Sequence, residues 1–168
     1  MSRWSSPGSP SPRSFWKTGV NARPLCGYER PGQTLRGRSR LLAHPAQYVI
    51  YTSALSQVEV ISALQRRVRE GSLAETQAQR LAHRVTVHFA QRYQVVALTQ
   101  AVVDQACVGL QAHPLRAADA VHLACALTIR RITQEQGLPP PSFVVADTAL
   151  RAAATAEGFV VDNPLQHP

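Results

Sequence analysis

Ser142-Phe143-Val144-Val145-Ala146-Asp147 is an apolar run closed by a carboxylate, and its reading decides the fold. A continuous apolar strand of this kind is buried on both faces, as in a parallel sheet covered by helices. Downstream, residues 148–157 form an alanine-rich helical pattern stopped by Gly158, followed by the strand-like Phe159-Val160-Val161. Upstream, residues 116–136 predict a long helix closed by Gly137 and Pro139-Pro140-Pro141. His113-Pro114 breaks the chain before it, because proline disfavours helical geometry in the preceding residue. Residues 94–98 read as a strand, and Thr99 can cap a helix running to about residue 112. Ser72-Leu73-Ala74-Glu75 has the spacing of a capping box and should open a helix to about residue 91. Val58, Ile61, Leu64 and Val68 share one face of a helix ended by Gly71, which follows the β-rich residues 48–52. Strands alternating with helices over 48–168 predict an α/β domain with a mainly parallel sheet.

The first 47 residues are different. They hold half of the twelve prolines, five of the nine glycines and seven serines, so they are expected to form a basic, disordered tail. Of the +8 formal charge, +7 resides there: eight lysines and arginines face Glu29 alone, whereas residues 48–168 balance ten arginines against nine carboxylates. The charge therefore says little about what the folded part binds. Cys26, Cys107 and Cys125 are odd in number and form no Cys-x-x-Cys pair, which argues against a disulfide framework or a zinc knuckle and suits a reducing cytoplasm. No apolar run reaches the roughly 18 residues of a membrane span, so no membrane partner is expected.

Three acids stand out by position. Sites in open parallel sheets form beyond the carboxyl ends of the strands, and Asp147 directly follows the apolar strand. Glu59 lies near the start of the helix after residues 48–52, and Asp119 in the first turn of the long helix, among alanines. Singly, each has a plainer role: a helix cap for Asp147, a dipole partner for Asp119, a surface acid for Glu59. Together they would converge at one end of one sheet. Two unit charges about 4 Å apart repel by about 4 kcal/mol at an effective dielectric near 20. Either protons or a hard divalent cation must relieve that repulsion, and magnesium or manganese accepts such oxygen ligands. Such a centre can hydrolyse a phosphodiester. No Gly-x-Gly-x-x-Gly or Walker sequence supports a nucleotide-binding alternative.

Residues 52–64 (Thr-Ser-Ala-Leu-Ser-Gln-Val-Glu-Val-Ile-Ser-Ala-Leu), 113–124 (His-Pro-Leu-Arg-Ala-Ala-Asp-Ala-Val-His-Leu-Ala) and 143–150 (Phe-Val-Val-Ala-Asp-Thr-Ala-Leu), trailed by Ala156-Glu157-Gly158-Phe159, resemble the acidic blocks of PIN-domain ribonucleases of the VapC toxin type. The resemblance covers about 120 residues. It implies a three-layer α/β/α fold and a magnesium-dependent endoribonuclease held inactive by a cognate antitoxin protein, and it suggests a homodimer. It places Glu59, Asp119 and Asp147 at three of the family's four acidic positions. Arg116 is then a candidate for an RNA phosphate contact, or for a carboxylate or solvent. His83, His88, His113 and His122 are not expected to bind metal. Asp162 is read as a turn residue before Asn163-Pro164, with an accessory acid as the alternative.

The chain departs from the family at its first motif. Family members begin with a short strand ending in Asp-x-Ser and a helix, whereas residues 1–47 contain no aspartate. That first strand-helix unit is expected to be missing or replaced, either because the upstream region is read in a wrong frame or because the domain is degenerate. The second case would leave a catalytically impaired PIN-like protein retaining only antitoxin or RNA binding.

Overall fold

The computed structural model describes residues 25–29 and 48–166, with residues 25–29 and Tyr48 as backbone alone. In chain order the elements are β1 (Leu25–Glu29), β2 (Tyr48–Ser53), α1 (Ala54–Arg69), α2 (Glu75–Gln91), β3 (Gln94–Val96), α3 (Gln100–Ala112), α4 (Ala117–Glu135), β4 (Ser142–Val144), α5 (Thr148–Ala156) and β5 (Val161–Asp162). The expected alternation of strands and helices is present, and the fold is α/β. The glycine stops also hold. Gly71 takes φ 71° after α1, its N–H reaches Val68 O at 2.9 Å, and Ser72 N–H reaches Arg67 O at 3.0 Å. This Schellman closure needs a residue free of a Cβ. Gly158 closes α5 in the same way, through Thr155 and Ala154.

One start signal reads differently. Glu75 is the first residue of α2 rather than its third, so the reciprocal partner of the cap is Gln77, whose Oε1 accepts the Ala74 N–H at 3.3 Å. Ser72 instead turns back and donates to Arg67 O at 3.2 Å.

The strands form one sheet in the order β3-β2-β1-β4-β5. The pairs β2–β3 and β4–β5 are parallel, as the βαβ pattern requires. Between them lies β1, antiparallel to both neighbours, with Cys26 in register with Tyr51 on one side and Phe143 on the other. The described sheet is thus mixed, and a segment of the upstream region occupies its centre. Average composition hid this strand. A ladder needs only backbone N–H and C=O groups, and Leu25–Glu29 lies between Pro24 and Pro31 with no proline inside it. The expected tail at residues 1–24 and 30–47, with its wrong-frame reading, lies outside the described residues.

Helix α4 organises the interior. Ala120, His122, Leu123, Ala124, Cys125, Ala126, Ile129 and Thr133 are all buried, so the helix is covered on nearly every side over its first half. One flank meets Val102 and Ala106 of α3 through Ala120, Ala124 and Cys125. The other packs Leu123, Ala126 and Ile129 against Phe143, Val145, Leu150 and Phe159. The alanines let α3 approach closely, while Leu123 and Phe143 fill the space over the sheet. This packing fixes the start of α4, and with it Asp119. No helix among the described residues is long and apolar enough to cross a membrane.

Candidate active site

Each of the three predicted acids is set by a local signal. Asp147 follows β4 and is the N-cap of α5: its Oδ1 accepts the Leu150 N–H at 2.9 Å. The plainer cap role is therefore real, and the carboxylate remains exposed at the strand's carboxyl end. Asp119 sits in the first turn of α4, which begins after Arg116 and the His113-Pro114 break. Glu59 projects from the second turn of α1. Ser53 starts that helix with its Oγ accepting the Leu55 N–H at 3.1 Å.

The structure brings these groups together around Asp119. Burial raises the Asp119 pKa above the ordinary 3.8, and the charges of Asp147 and Glu59 push it further the same way. His122 and Arg116 pull in the opposite direction without cancelling the rise. A carboxyl in the first turn of a helix would ordinarily be eased into its charged form by the dipole. Here burial and two like charges win.

His122 is the residue that the sequence reading left without a role. It lies one turn beyond Asp119 on the same face of α4, its side chain is 2% exposed, and its Nε2 is 2.7 Å from Glu59 Oε2. With Glu59 ionised, the imidazole N–H is the donor. A histidine inside an otherwise apolar stretch carried the available signal, since buried polar groups find partners. The imidazole ties α1 to α4 and thereby holds Glu59 beside Asp119. A small cavity of about 10 Å³ lies between β2, β3, α4 and β4, with Thr52, Ser53 and His122 among lining residues that present mainly apolar surface, including Val96, Ile129 and Phe143. Thr52 Oγ1 donates to Ser56 Oγ at 3.0 Å. Burial raises the Cys125 thiol pKa, against a smaller opposing effect of its hydrogen bond with Ser53.

Of the remaining candidates, Arg116 alone is among the charges that act on Asp119. His113 pairs with Glu157 at 2.9 Å, joining the end of α3 to the end of α5. Asp162 ends β5 as a half-buried strand residue, and the turn is made by Asn163, whose Oδ1 accepts the Leu165 N–H at 3.1 Å. Arg116 is exposed at the N-cap of α4, beside Asp119.

In donor chemistry the cluster suits a hard divalent cation, because its groups are carboxylate oxygens whose mutual repulsion a cation would relieve. In arrangement it is not a closed cage. Glu59 is engaged by His122 and one Asp147 oxygen by the cap. Among the described residues, no group of three or more His, Cys, Asp or Glu side chains is set to hold a metal ion.

An α/β domain with acids gathered beyond the carboxyl ends of its strands has a site suited to metal-assisted hydrolysis. The model of the PIN domain family matches residues 35–156, most of the chain, and the chain belongs to that family. PIN domains are generally nucleases and typically use divalent metal ions. Comparison with curated proteins finds no match.

Proposed function

We propose that this protein is a magnesium- or manganese-dependent endoribonuclease, acting in the cytoplasm as the VapC-like toxin of a toxin–antitoxin pair. The observation that carries the reading is the convergence on Asp119: burial first, and then the charges of Asp147 and Glu59, raise its pKa at the start of a buried helix, an arrangement that costs stability unless a proton or a cation is held there. Asp119, Asp147 and Glu59 would hold the ion. When bound, it would supply an activated water and stabilise the leaving oxygen of a phosphodiester.

The chain's own groups do the positioning. Asp119 is fixed by the packing of α4, Asp147 by its cap, and Glu59 by His122. Arg116, exposed at the rim, can offer its planar guanidinium to a substrate phosphate. The neighbouring cognate partner is proposed to be an antitoxin protein, and the assembly a homodimer.

The test is cleavage of end-labelled RNA by the purified protein, with magnesium and with excess chelator, beside Asp119→Asn. Cleavage that needs magnesium and disappears in the variant supports the proposal. Equal cleavage by both proteins refutes this site. A second reading, a PIN-like protein that binds antitoxin or RNA without cutting, is favoured by the engagement of Glu59 with His122 and by the absence of a closed cage among the described residues. RNA binding with no cleavage at any magnesium or manganese concentration would establish that reading instead.

A further inference from the structure

Helix α2 carries a feature that the carboxylate cluster does not use. Arg80, Arg84, His88 and Arg92 follow one another at intervals of four residues, which in a helix sets them along one inclined row that turns by about 120° from first to last. Arg92 is the C-cap, and its N–H still bonds His88 O at 2.9 Å, so the alignment continues through the last residue. Arg80, Arg84 and Arg92 are exposed and His88 is half-buried. The pKa of His88 is lowered, by burial first and then by Arg92 and Arg84, which places the three side chains within electrostatic reach of one another.

This ridge has no structural purpose that the fold reveals. Like charges four residues apart destabilise a helix. Elsewhere the protein compensates this spacing: Arg131 pairs with Glu135 at 2.7 Å, Gln100 with Asp104 at 2.8 Å, and Gln79 with Glu75 at 3.2 Å. Among the described residues, no ion pair joins Arg80, Arg84 or Arg92 to a carboxylate. The helix dipole accounts for the arginines in the last turn of α1 and for Arg92 at the C-cap of α2, but not for Arg80 and Arg84 farther back along α2.

We propose that Arg80, Arg84 and Arg92 form a phosphate-tracking ridge for single-stranded RNA, on the hairpin whose first helix carries Glu59. From Arg80 to Arg84 the axis rises about 6 Å and from Arg84 to Arg92 about 12 Å, about one and two steps between phosphates of one extended strand. Twelve residues span about 18 Å, so the three guanidiniums can meet the first, second and fourth of four successive phosphates of a bound strand. A helix face of one sign is charge-complementary to such a backbone and needs no base contacts, so it binds without sequence preference. The inference rests on the nuclease reading for its choice of RNA.

The experiment is fluorescence anisotropy of a short fluorescein-labelled oligouridylate, titrated over a range of salt concentrations in chelator so that cleavage cannot interfere. The full chain is compared with R80Q/R84Q/R92Q and with R66Q/R69Q/R131Q, which removes the same charge from exposed arginines off the ridge. Each single-strand phosphate contact contributes about 0.7 to the slope of log affinity against log salt. Loss of the ridge should therefore flatten the slope by about 2, while the off-ridge control stays within about 0.7 of the parent. Circular dichroism should show the ridge variant folded and melting no lower than the parent, because it relieves repulsion. An unchanged slope, or an equal fall in the control, overturns the ridge. So does unchanged RNA affinity combined with lost binding to polyglutamate, which would make the face a docking site for an acidic protein. A cleavage assay of the parent chain in magnesium separates the two ideas: a ridge-dependent slope with no cleavage sinks the nuclease reading and leaves the ridge standing.

Discussion

Replacing His122 with alanine tests how the site is held together. The imidazole is 2% exposed and Glu59 14%, with 2.7 Å between Nε2 and Oε2. A hydrogen bond to a charged group contributes roughly 1.5–3 kcal/mol, and a buried partner left unsatisfied costs about as much. Glu59 retains some access to water, which places the expected loss near the middle, at about 2 kcal/mol. For a domain of this size, that lowers the melting temperature by roughly 6–8 °C. Thermal and urea unfolding of His122→Ala, Glu59→Ala and the double variant would give a coupling energy, expected at about 1–2 kcal/mol. His122→Gln, whose amide N–H can still donate a hydrogen bond to Glu59, should recover part of both stability and cleavage. Coupling below about 0.3 kcal/mol, within ordinary additivity, would refute the idea that this contact holds Glu59 in place.

Other outcomes follow from the same geometry. Asp147→Asn keeps a good N-cap and should change stability by only a few tenths of a kcal/mol, whereas Asp147→Ala should cost about 1 kcal/mol; both should lose cleavage, so the pair separates cap from charge. Because the Asp119 pKa is raised, the native state keeps a proton that the unfolded chain releases. Stability should therefore fall as pH rises from about 3.8 through the native pKa and stay penalised above it. Asp119→Asn should flatten that part of a stability–pH profile and melt higher than the parent at pH 7 in chelator; an unchanged profile would contradict the clustering. The exposed Cys107 should react with iodoacetamide at pH 8, while the buried Cys125, its thiol pKa raised, stays unmodified until the protein unfolds, as peptide mass mapping can show.

Much of the architecture was legible because its signals are local. The glycines after α1 and α5, the break at Pro114 and the apolar run ending in Asp147 each act within a few residues, and each stands where the pattern puts it. The α2 start shows the limit of such signals. Two overlapping cap patterns compete there, and Gln77 wins over Glu75 by a shift of two residues. The grouping of the acids followed from topology, but the partner of Glu59 did not. His122 is 63 positions away in sequence, and the pair shows only in the folded chain, as a hydrogen bond between α4 and α1. Strand β1 was invisible for another reason. Compositional averages describe a segment of 47 residues, whereas pairing requires five consecutive residues free of proline.

That strand has a mechanical consequence. Among the described residues, the parallel ribbons β3-β2 and β4-β5 are joined within the sheet through β1, which acts as the rivet between them. A chain cleaved just after Glu29 and stripped of its leading peptide would present two raw ladders facing an empty slot. Open ladders recruit whatever extended backbone is nearby, so such a fragment would be prone to capture a strand from another molecule.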